Sequence, residues 1–302
     1  MSLRANSYFN LALCILLWAS IPVASKKILA ELNNIQMLFF STVFSALALG
    51  ALVVGQRKAT SLVRYSLRDY ARLGGLGFLG AFLYYVLLYG AFARTSAAEG
   101  FVLAYTWPIL VSLLAVPLLG QKLSALRLIA IAISFCGVAA VVTRGRMLEF
   151  QMENLAGNLL ALCGALVFAL FSVLGRRAAY DLTLAAFVYF CTALVCAGAS
   201  ILIQGQLPLP SLSVWGWILY NGLLVNGVSY LFWFRALEHG DTFVVSNLLY
   251  LTPALSLPLV RFFLNESVEW SAVSGLTLIV FGILVQSWPK LAASTRSQSP
   301  HE

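Results

Sequence analysis

Residues 103–110 read Leu-Ala-Tyr-Thr-Trp-Pro-Ile-Leu, and residues 248–255 read Leu-Leu-Tyr-Leu-Thr-Pro-Ala-Leu. The two stretches lie 145 residues apart, and each holds a proline three residues after a tyrosine in an apolar run. The same offset pairs other Gly, Tyr and Ala residues: Gly77 with Gly222, Tyr85 with Tyr230, Ala91 with Ala236, and Gly137 with Gly282. Repeated matches of non-aliphatic residues at one offset indicate an internal duplication.

The composition places the duplicated chain in a membrane. Of 302 residues, 61% are hydrophobic and only 10% are charged, whereas soluble domains carry about 25% charged residues. So few charged residues could not cover the surface of a soluble protein. The high fraction of hydrophobic residues also excludes a disordered chain. The net charge of +8 is therefore interpreted as loop charge that sets membrane topology, and not as a nucleic-acid footprint.

Ten apolar segments of about 20 residues, each suited to a membrane helix, are bounded by charged residues. They are residues 8–25, 35–54, 73–93, 97–119, 125–143, 156–175, 183–203, 213–236, 243–263 and 270–288. β-Barrel strands would be half as long and would alternate in polarity. The sequence thus predicts an all-α membrane protein with ten transmembrane helices.

Duplication divides these helices into five-helix repeats at 1–146 and 147–302. Because five is odd, the second copy enters the membrane from the opposite face, which makes the repeats inverted. Inverted repeats are typical of secondary transporters that bind substrate near the bilayer midplane. Ala24 and Ser25 end the first segment as a signal-peptide cleavage site would. However, Lys26-Lys27 has a counterpart in Arg176-Arg177, so we expect the first segment to be retained.

The basic residues predict the orientation. With ten spans both termini share a side, and placing them in the cytoplasm puts thirteen of the 19 basic residues inside and six outside. This distribution obeys the positive-inside rule. The loop 55–72 supplies five of the thirteen, so this one loop carries much of the prediction.

Aromatic and polar side chains near the middle of the spans are the candidate substrate site. Interfacial aromatics lie at span ends, whereas a mid-span Tyr or Trp needs a polar partner that a cavity or substrate supplies. Each residue alone is better explained by packing, but as a set they predict a cavity wall. The proposed wall consists of Trp18, Tyr84, Tyr85, Tyr105, Trp107, Phe171, Asn226, Tyr230 and Tyr250.

Pro108 and Pro253 lie at the centre of their spans, where proline removes a backbone hydrogen bond and bends the helix. We expect these bends to shape the cavity, although proline is also common in membrane helices generally. Glu99 is the carboxylate most clearly embedded in a span. It either pairs with Arg94, or contacts a substrate amine, or couples transport to protons.

Enzyme and metal chemistry find no support in the sequence. The two histidines, His239 and His301, lie in a loop and the tail, and no metalloprotease, serine-hydrolase or phosphate-loop motif is present. The five cysteines lie in apolar stretches without a C-x-x-C pair, which favours packing roles. We expect no enzyme activity, no metal, no cofactor and no nucleic-acid partner.

Two sets of motifs resemble the repeats of EamA-type proteins in the drug/metabolite transporter superfamily. The first set includes Tyr89-Gly-Ala-Phe-Ala-Arg-Thr95, Trp107-Pro108 and Gly120-Gln121-Lys122, and the second Thr252-Pro253 and Asn265-Glu266. Glu99, residues 105–108 and Gln121 are similar to the YddG branch of aromatic and neutral amino-acid exporters. The resemblance implies a ten-helix inner-membrane exporter with a central cavity for an amino acid. Alternatively, the transported substrate is another metabolite or a lipophilic cationic drug. A further alternative is that the protein is a membrane scaffold that transports nothing.

Overall fold

A computed structural model of the chain describes residues 3–120, 125–144, 154–175, 180–239, 245, 248–249 and 251–296. Over these ranges the chain forms helices, turns and loops, and no strand. The α-helices are α1 Leu3–Ala19, α2 Ile21–Leu29, α3 Asn34–Gly55, α4 Ala59–Leu62, α5 Leu67–Gly77, α6 Tyr84–Phe92, α7 Ala97–Ala104, α8 Trp107–Leu119, α9 Ala125–Val142, α10 Leu155–Gly175, α11 Leu182–Gln204, α12 Leu212–Leu219, α13 Ser229–His239, α14 Leu251–Leu264 and α15 Trp270–Arg296. Two π-helical segments, π1 Phe78–Leu83 and π2 Tyr220–Val228, continue α5 and α12.

Within the described ranges, six helical stretches are long and apolar enough to cross a membrane. They are Asn6–Leu29, Asn34–Gly55, Leu67–Phe92, Ala97–Leu119, Leu155–Gly175 and Leu182–Gln204. Shorter apolar helices cover Leu128–Val142, Leu251–Leu264 and Trp270–Val285. The all-helical membrane architecture agrees with the sequence, whereas the count of ten spans stays a prediction.

Helices α9 and α15, which correspond to each other at the 145-residue offset, pack antiparallel. A Cβ atom added to Gly137 would lie 2.6 Å from the carbonyl oxygen of Gly275. One added to Gly282 would lie 2.6 Å from the carbonyl oxygen of Ala130. Each contact maps onto the other under the offset, and rising numbers in α9 meet falling numbers in α15. The glycines thus allow a close approach of two backbones related by an approximate two-fold axis.

Helices α3 and α11 form a second matched pair, at an offset of 148. Gly50 packs against the ring of Phe187, and Gly198 packs against the ring of Phe39. At one end of the pair the Thr183 hydroxyl donates to Gln56 Oε1 at 3.2 Å. At the other end Asn33 Nδ2 donates to Gln204 Oε1 at 3.4 Å. The two glycine–phenylalanine contacts are exchanged by the offset, and the two glutamines, Gln56 and Gln204, also correspond to each other. Helices α3 and α11 therefore run antiparallel, as inverted repeats require.

The fourth predicted span is broken, and not kinked as the sequence analysis expected. Helix α7 ends at Ala104, Tyr105 and Thr106 form a turn, and α8 begins at Trp107. Pro108 lies in the first turn of α8. Backbone N–H groups in the first turn of a helix have no partner within the helix, so proline costs no hydrogen bond there. Pro253 occupies the first turn of α14 in the same way, while residues 246–247 and 250 lie outside the described part of the chain.

The two π-helical segments also correspond to each other. At the 145-residue offset, π1 maps onto residues 223–228 of π2. A π-helix widens the turn and is found mostly at functional sites. The two segments therefore mark equivalent places in the third helix of each half.

Candidate functional site

An aromatic cavity of about 340 Å³ lies between the two halves of the bundle. It is lined by residues of α1, α2, π1, α6, α7, α8, α10, α11 and α13. Seven predicted wall residues line it: Trp18, Tyr84, Tyr85, Tyr105, Trp107, Phe171 and Tyr230. Among the described residues that line the cavity, none is charged. Its volume falls at the lower end of the range of small-molecule sites, roughly 300–1,000 Å³.

The lining rings hold one another in tilted and edge-to-face contacts. The centroids of Trp18 and Tyr230 are 5.9 Å apart, and those of Trp107 and Phe168 are 5.1 Å apart. Tyr84 contacts the same Phe168 ring at 4.7 Å. Such pairs each contribute about 0.5–1.5 kcal/mol beyond the burial of their area. The wall is therefore a packed aromatic surface that faces an open space.

Phe168 and Tyr189 line the cavity but were not among the predicted wall residues. Phe168 lies three residues before Phe171 on α10, the spacing that places two side chains on one helix face. That spacing was the available signal. For Tyr189 the available signal was a polar aromatic side chain inside a predicted span, the same signal that indicated Tyr105 and Trp107.

Asn226 lies behind the wall and not in it. Its side chain is fully buried, and its Oδ1 accepts from the Tyr85 hydroxyl at 3.2 Å. Its Nδ2 donates to the Tyr89 hydroxyl, also at 3.2 Å. Asn221 Nδ2 donates to the same Tyr89 oxygen at 3.2 Å. A buried amide needs such partners, so Asn226 holds the Tyr85 hydroxyl in place, and its role in substrate binding stays a prediction. Tyr250 lies outside the described residues.

Glu99 is also absent from the cavity lining, and its expected pairing with Arg94 is wrong. The Glu99 carboxylate is 1% exposed and accepts from Arg144 Nε at 2.8 Å. The Thr95 hydroxyl lies 2.9 Å from Glu99 Oε2 and 3.0 Å from Asn158 Oδ1. Arg94 instead donates from Nη1 to the Gly90 carbonyl at 3.0 Å. A buried carboxylate is stabilised by a charged partner, and Arg144 supplies it from the turn that follows α9.

A second group of polar contacts joins the two halves at the same end of the bundle. Lys26 Nζ donates to the Thr95 carbonyl at 2.8 Å and lies 3.7 Å from Glu266 Oε1. The backbone N–H of Ala97 donates to Glu266 Oε2 at 2.8 Å. Together with the Glu99 contacts these bonds form what we call the closed-end network. It ties α2, the start of α7, and the loop after α14 together.

The cavity extends toward the opposite end of the bundle, because Gly175 and Leu182 line it. Near that end Lys58 Nζ donates to Asp181 Oδ2 at 2.7 Å. Partial burial raises the pKa of Asp181, but hydrogen bonds from Lys58, Leu184 and Thr183 outweigh the burial and hold that pKa below its usual value. In the described part of the chain, the closed-end network connects the helices at one end of the bundle, and the cavity extends toward the other end.

No group of three or more His, Cys, Asp or Glu side chains suited to a metal ion occurs within the ranges that the structure describes. The arrangement is an apolar bundle whose two antiparallel halves enclose an uncharged aromatic cavity. An apolar bundle with a cavity between two repeats is typical of membrane transporters.

The chain matches the model of the EamA-like transporter family twice, over residues 6–143 and 155–288. It belongs to this family, which is part of the drug/metabolite transporter superfamily. The protein is therefore a membrane transporter and not an enzyme.

Several characterised and uncharacterised proteins are similar to this chain. An uncharacterized transporter of Archaeoglobus fulgidus is 24% identical over 285 residues, 93% of this chain and 97% of that protein. The uncharacterized transporter YoaV of Bacillus subtilis is 26% identical over 287 residues, 90% of this chain and 94% of that protein. The aromatic amino acid exporter YddG of Ancylobacter novellus is 27% identical over 184 residues, 60% of this chain and 63% of that protein.

A solved crystal structure resembles the fold. It superposes with a TM-score of 0.69, at 20% sequence identity, and covers 98% of this chain and 100% of the other. At this identity the likeness concerns the fold alone.

Proposed function

We propose that the protein exports neutral and aromatic amino acids across the inner membrane by alternating access. In this proposal ten helices cross the membrane as two inverted five-helix repeats, residues 1–146 and 147–302. Both termini face the cytoplasm. The antiparallel packing of α3 with α11 and of α9 with α15 supports the inverted arrangement.

The uncharged aromatic cavity is the observation that carries the proposed cargo. A substrate with a net charge would need an opposite charge when it leaves water, and the described lining offers none. A neutral amino acid carries balanced charges, and its side chain can lie against Trp18, Trp107 and Tyr230. Tyrosine hydroxyls in the wall supply hydrogen-bonding groups for the ammonium and carboxylate. The similarity to an aromatic amino acid exporter supports the same cargo.

The polarity of the two ends supports the direction of access. In the predicted orientation, the end that holds loop 55–72 faces the cytoplasm, and the cavity extends toward it through Gly175 and Leu182. The closed-end network then seals the outer side. This conformation loads substrate from the cytoplasm, as an exporter requires, and release outside requires that the Lys26 and Glu99 contacts open.

The buried position of Glu99 assigns it to this seal in our proposal. Its carboxylate is bound by Arg144 and Thr95, so in the present conformation it does not contact a substrate amine in the cavity. A role in proton coupling would then act through the opening of the outer end. Gradient-independent export of a neutral amino acid by the parent protein would contradict such coupling.

A second candidate cargo is a lipophilic organic cation. The rings of Trp18, Trp107 and Tyr84 line the cavity, and the faces of aromatic rings attract cations, which partly offsets the missing opposite charge. If this second cargo is the substrate, neutral amino acids should not compete with its transport. A competition measurement therefore distinguishes the two proposals.

The Trp107 ring is the most direct test of the proposed site. We expect Trp107→Ala to reduce amino-acid transport in proteoliposomes about tenfold, since ~1.4 kcal/mol of lost ring contact corresponds to that factor. Trp270→Ala is the matched control, because the Trp270 side chain is 84% exposed and lies outside the cavity. Equal transport by the parent protein and Trp107→Ala would remove Trp107 from the site.

A further inference from the structure

Gly80 and Phe171 make an unusually close contact at the cavity. A Cβ atom added to Gly80 would lie 2.7 Å from both Cγ and Cδ2 of Phe171, and 2.8 Å from Cε2. Because three neighbouring ring atoms are almost equally distant, the face of the ring lies on the backbone of Gly80. Any side chain at position 80 would overlap this ring.

The ring of Phe171 has little room to move sideways. Its centroid is 5.6 Å from that of Phe168 and 5.5 Å from that of Tyr189, so two neighbouring rings restrict it. Gly80 and Phe171 both line the cavity. A methyl group at Gly80 therefore displaces the ring toward the open space that the substrate would occupy.

We propose that the Gly80–Phe171 contact sets the upper size limit for the substrate. The glycine lets Phe171 lie flat against π1, and the space thereby left in the cavity accommodates a bulky aromatic side chain. Small neutral amino acids fit with or without that space. This inference rests on the proposed function and deepens it, because it names the pair of residues that admits the largest amino acids.

The test compares tryptophan and alanine in proteoliposome counterflow with the full-length protein. We expect Gly80→Ala to lower the ratio of tryptophan to alanine transport about tenfold, since one methyl group in a tight pocket discriminates by about 10- to 200-fold. Gly75→Ala is the matched control, because a Cβ atom there meets nothing within 4 Å. Its ratio should equal that of the parent protein.

The double variant Gly80→Ala/Phe171→Ala separates the size limit from a folding defect. Removing the displaced ring should restore the ratio to the parent value or raise it above that value. Equal losses for both substrates without rescue would overturn the proposal, as would an unchanged ratio in Gly80→Ala. If Gly80→Ala does not fold, Phe171→Ala alone must raise the ratio, and an unchanged ratio then overturns the size limit. A parent protein that moves neither amino acid would instead overturn the proposed function, and this inference with it.

Discussion

At the scale of single residues, buried polar contacts behind the cavity hold the side chains that line it. Asn226 connects Tyr85 to Tyr89, and Asn221 links Tyr89 to Ser41 with a bond of 3.0 Å to the serine oxygen. These bonds join π2 to α6 and α3, so they cross between the two halves of the sequence. They hold the hydroxyl of Tyr85, whose ring lines the cavity.

We expect Asn226→Ala to lower the stability of the protein by roughly 1 kcal/mol, because both tyrosine hydroxyls lose a partner in an apolar environment. The apparent unfolding midpoint in detergent should fall by about 2–4 °C. Asn10→Ala is a matched control, because the Asn10 amide bonds only to Asn6 one turn earlier in its own helix. A midpoint equal to that of the parent would show that the Asn226 bonds do not stabilise the fold.

The predictability of these residues follows from how far their partners lie along the chain. Trp18, Tyr105 and Trp107 could be proposed from sequence because a polar aromatic at mid-span is itself unusual. The role of Asn226 could not, because its partners lie 141 and 137 residues away. Glu99 was matched to the nearby Arg94, whereas its partner Arg144 lies 45 residues away.

At the scale of secondary structure, helix breaks and helix termini carry the proposed transport cycle. The fourth span breaks at Tyr105 and Thr106 beside the cavity, and the closed-end network binds the beginning of α7. The prolines signalled an irregularity at this depth, but steric preference alone could not tell a kink from a break. The π-helical segments gave no sequence signal, because they differ from α-helix only in hydrogen-bond spacing.

We expect Lys26→Met to destabilise the closed end. The Lys26–Glu266 pair is partly exposed, and such a pair contributes about 0.2–1 kcal/mol, which shifts an equilibrium up to about fivefold. A cysteine reporter made as Ser25→Cys, in a variant without the five native cysteines, should react faster with a membrane-impermeant thiol reagent. Ser25 is fully buried in the closed conformation.

Lys27→Met is the control for this experiment, because Lys27 lies beside Lys26 but takes no part in the closed-end network. Its labelling rate should equal that of the reporter alone. If Lys26→Met and Lys27→Met label at the same rate, Lys26 does not hold the outer end closed.

At the scale of the whole molecule, two antiparallel helix pairs define the symmetry of the bundle. The pair α3 and α11 and the pair α9 and α15 each exchange their contacts under the repeat offset. The duplication and the membrane class could be predicted from composition and from spaced Gly, Tyr and Pro matches. Which helices would pack together could not, because apolar faces of membrane helices offer no periodic contrast with lipid.

The proposed topology predicts that both termini lie in the cytoplasm. A C-terminal green fluorescent protein fusion should fluoresce, whereas alkaline phosphatase at the same position should be inactive. Phosphatase inserted in the loop between α6 and α7, near Arg94, should be active. The reverse pattern would contradict the orientation that the basic residues of loop 55–72 predict.

Counterflow in proteoliposomes that contain only the purified protein tests the central claim most directly. Vesicles loaded with unlabelled phenylalanine should accumulate labelled phenylalanine and other neutral amino acids transiently, and charged amino acids such as lysine or glutamate should not exchange. Trp107→Ala vesicles should exchange these amino acids about tenfold less. No exchange of any neutral amino acid, or equal exchange of charged ones, would contradict an uncharged aromatic cavity for amino acids.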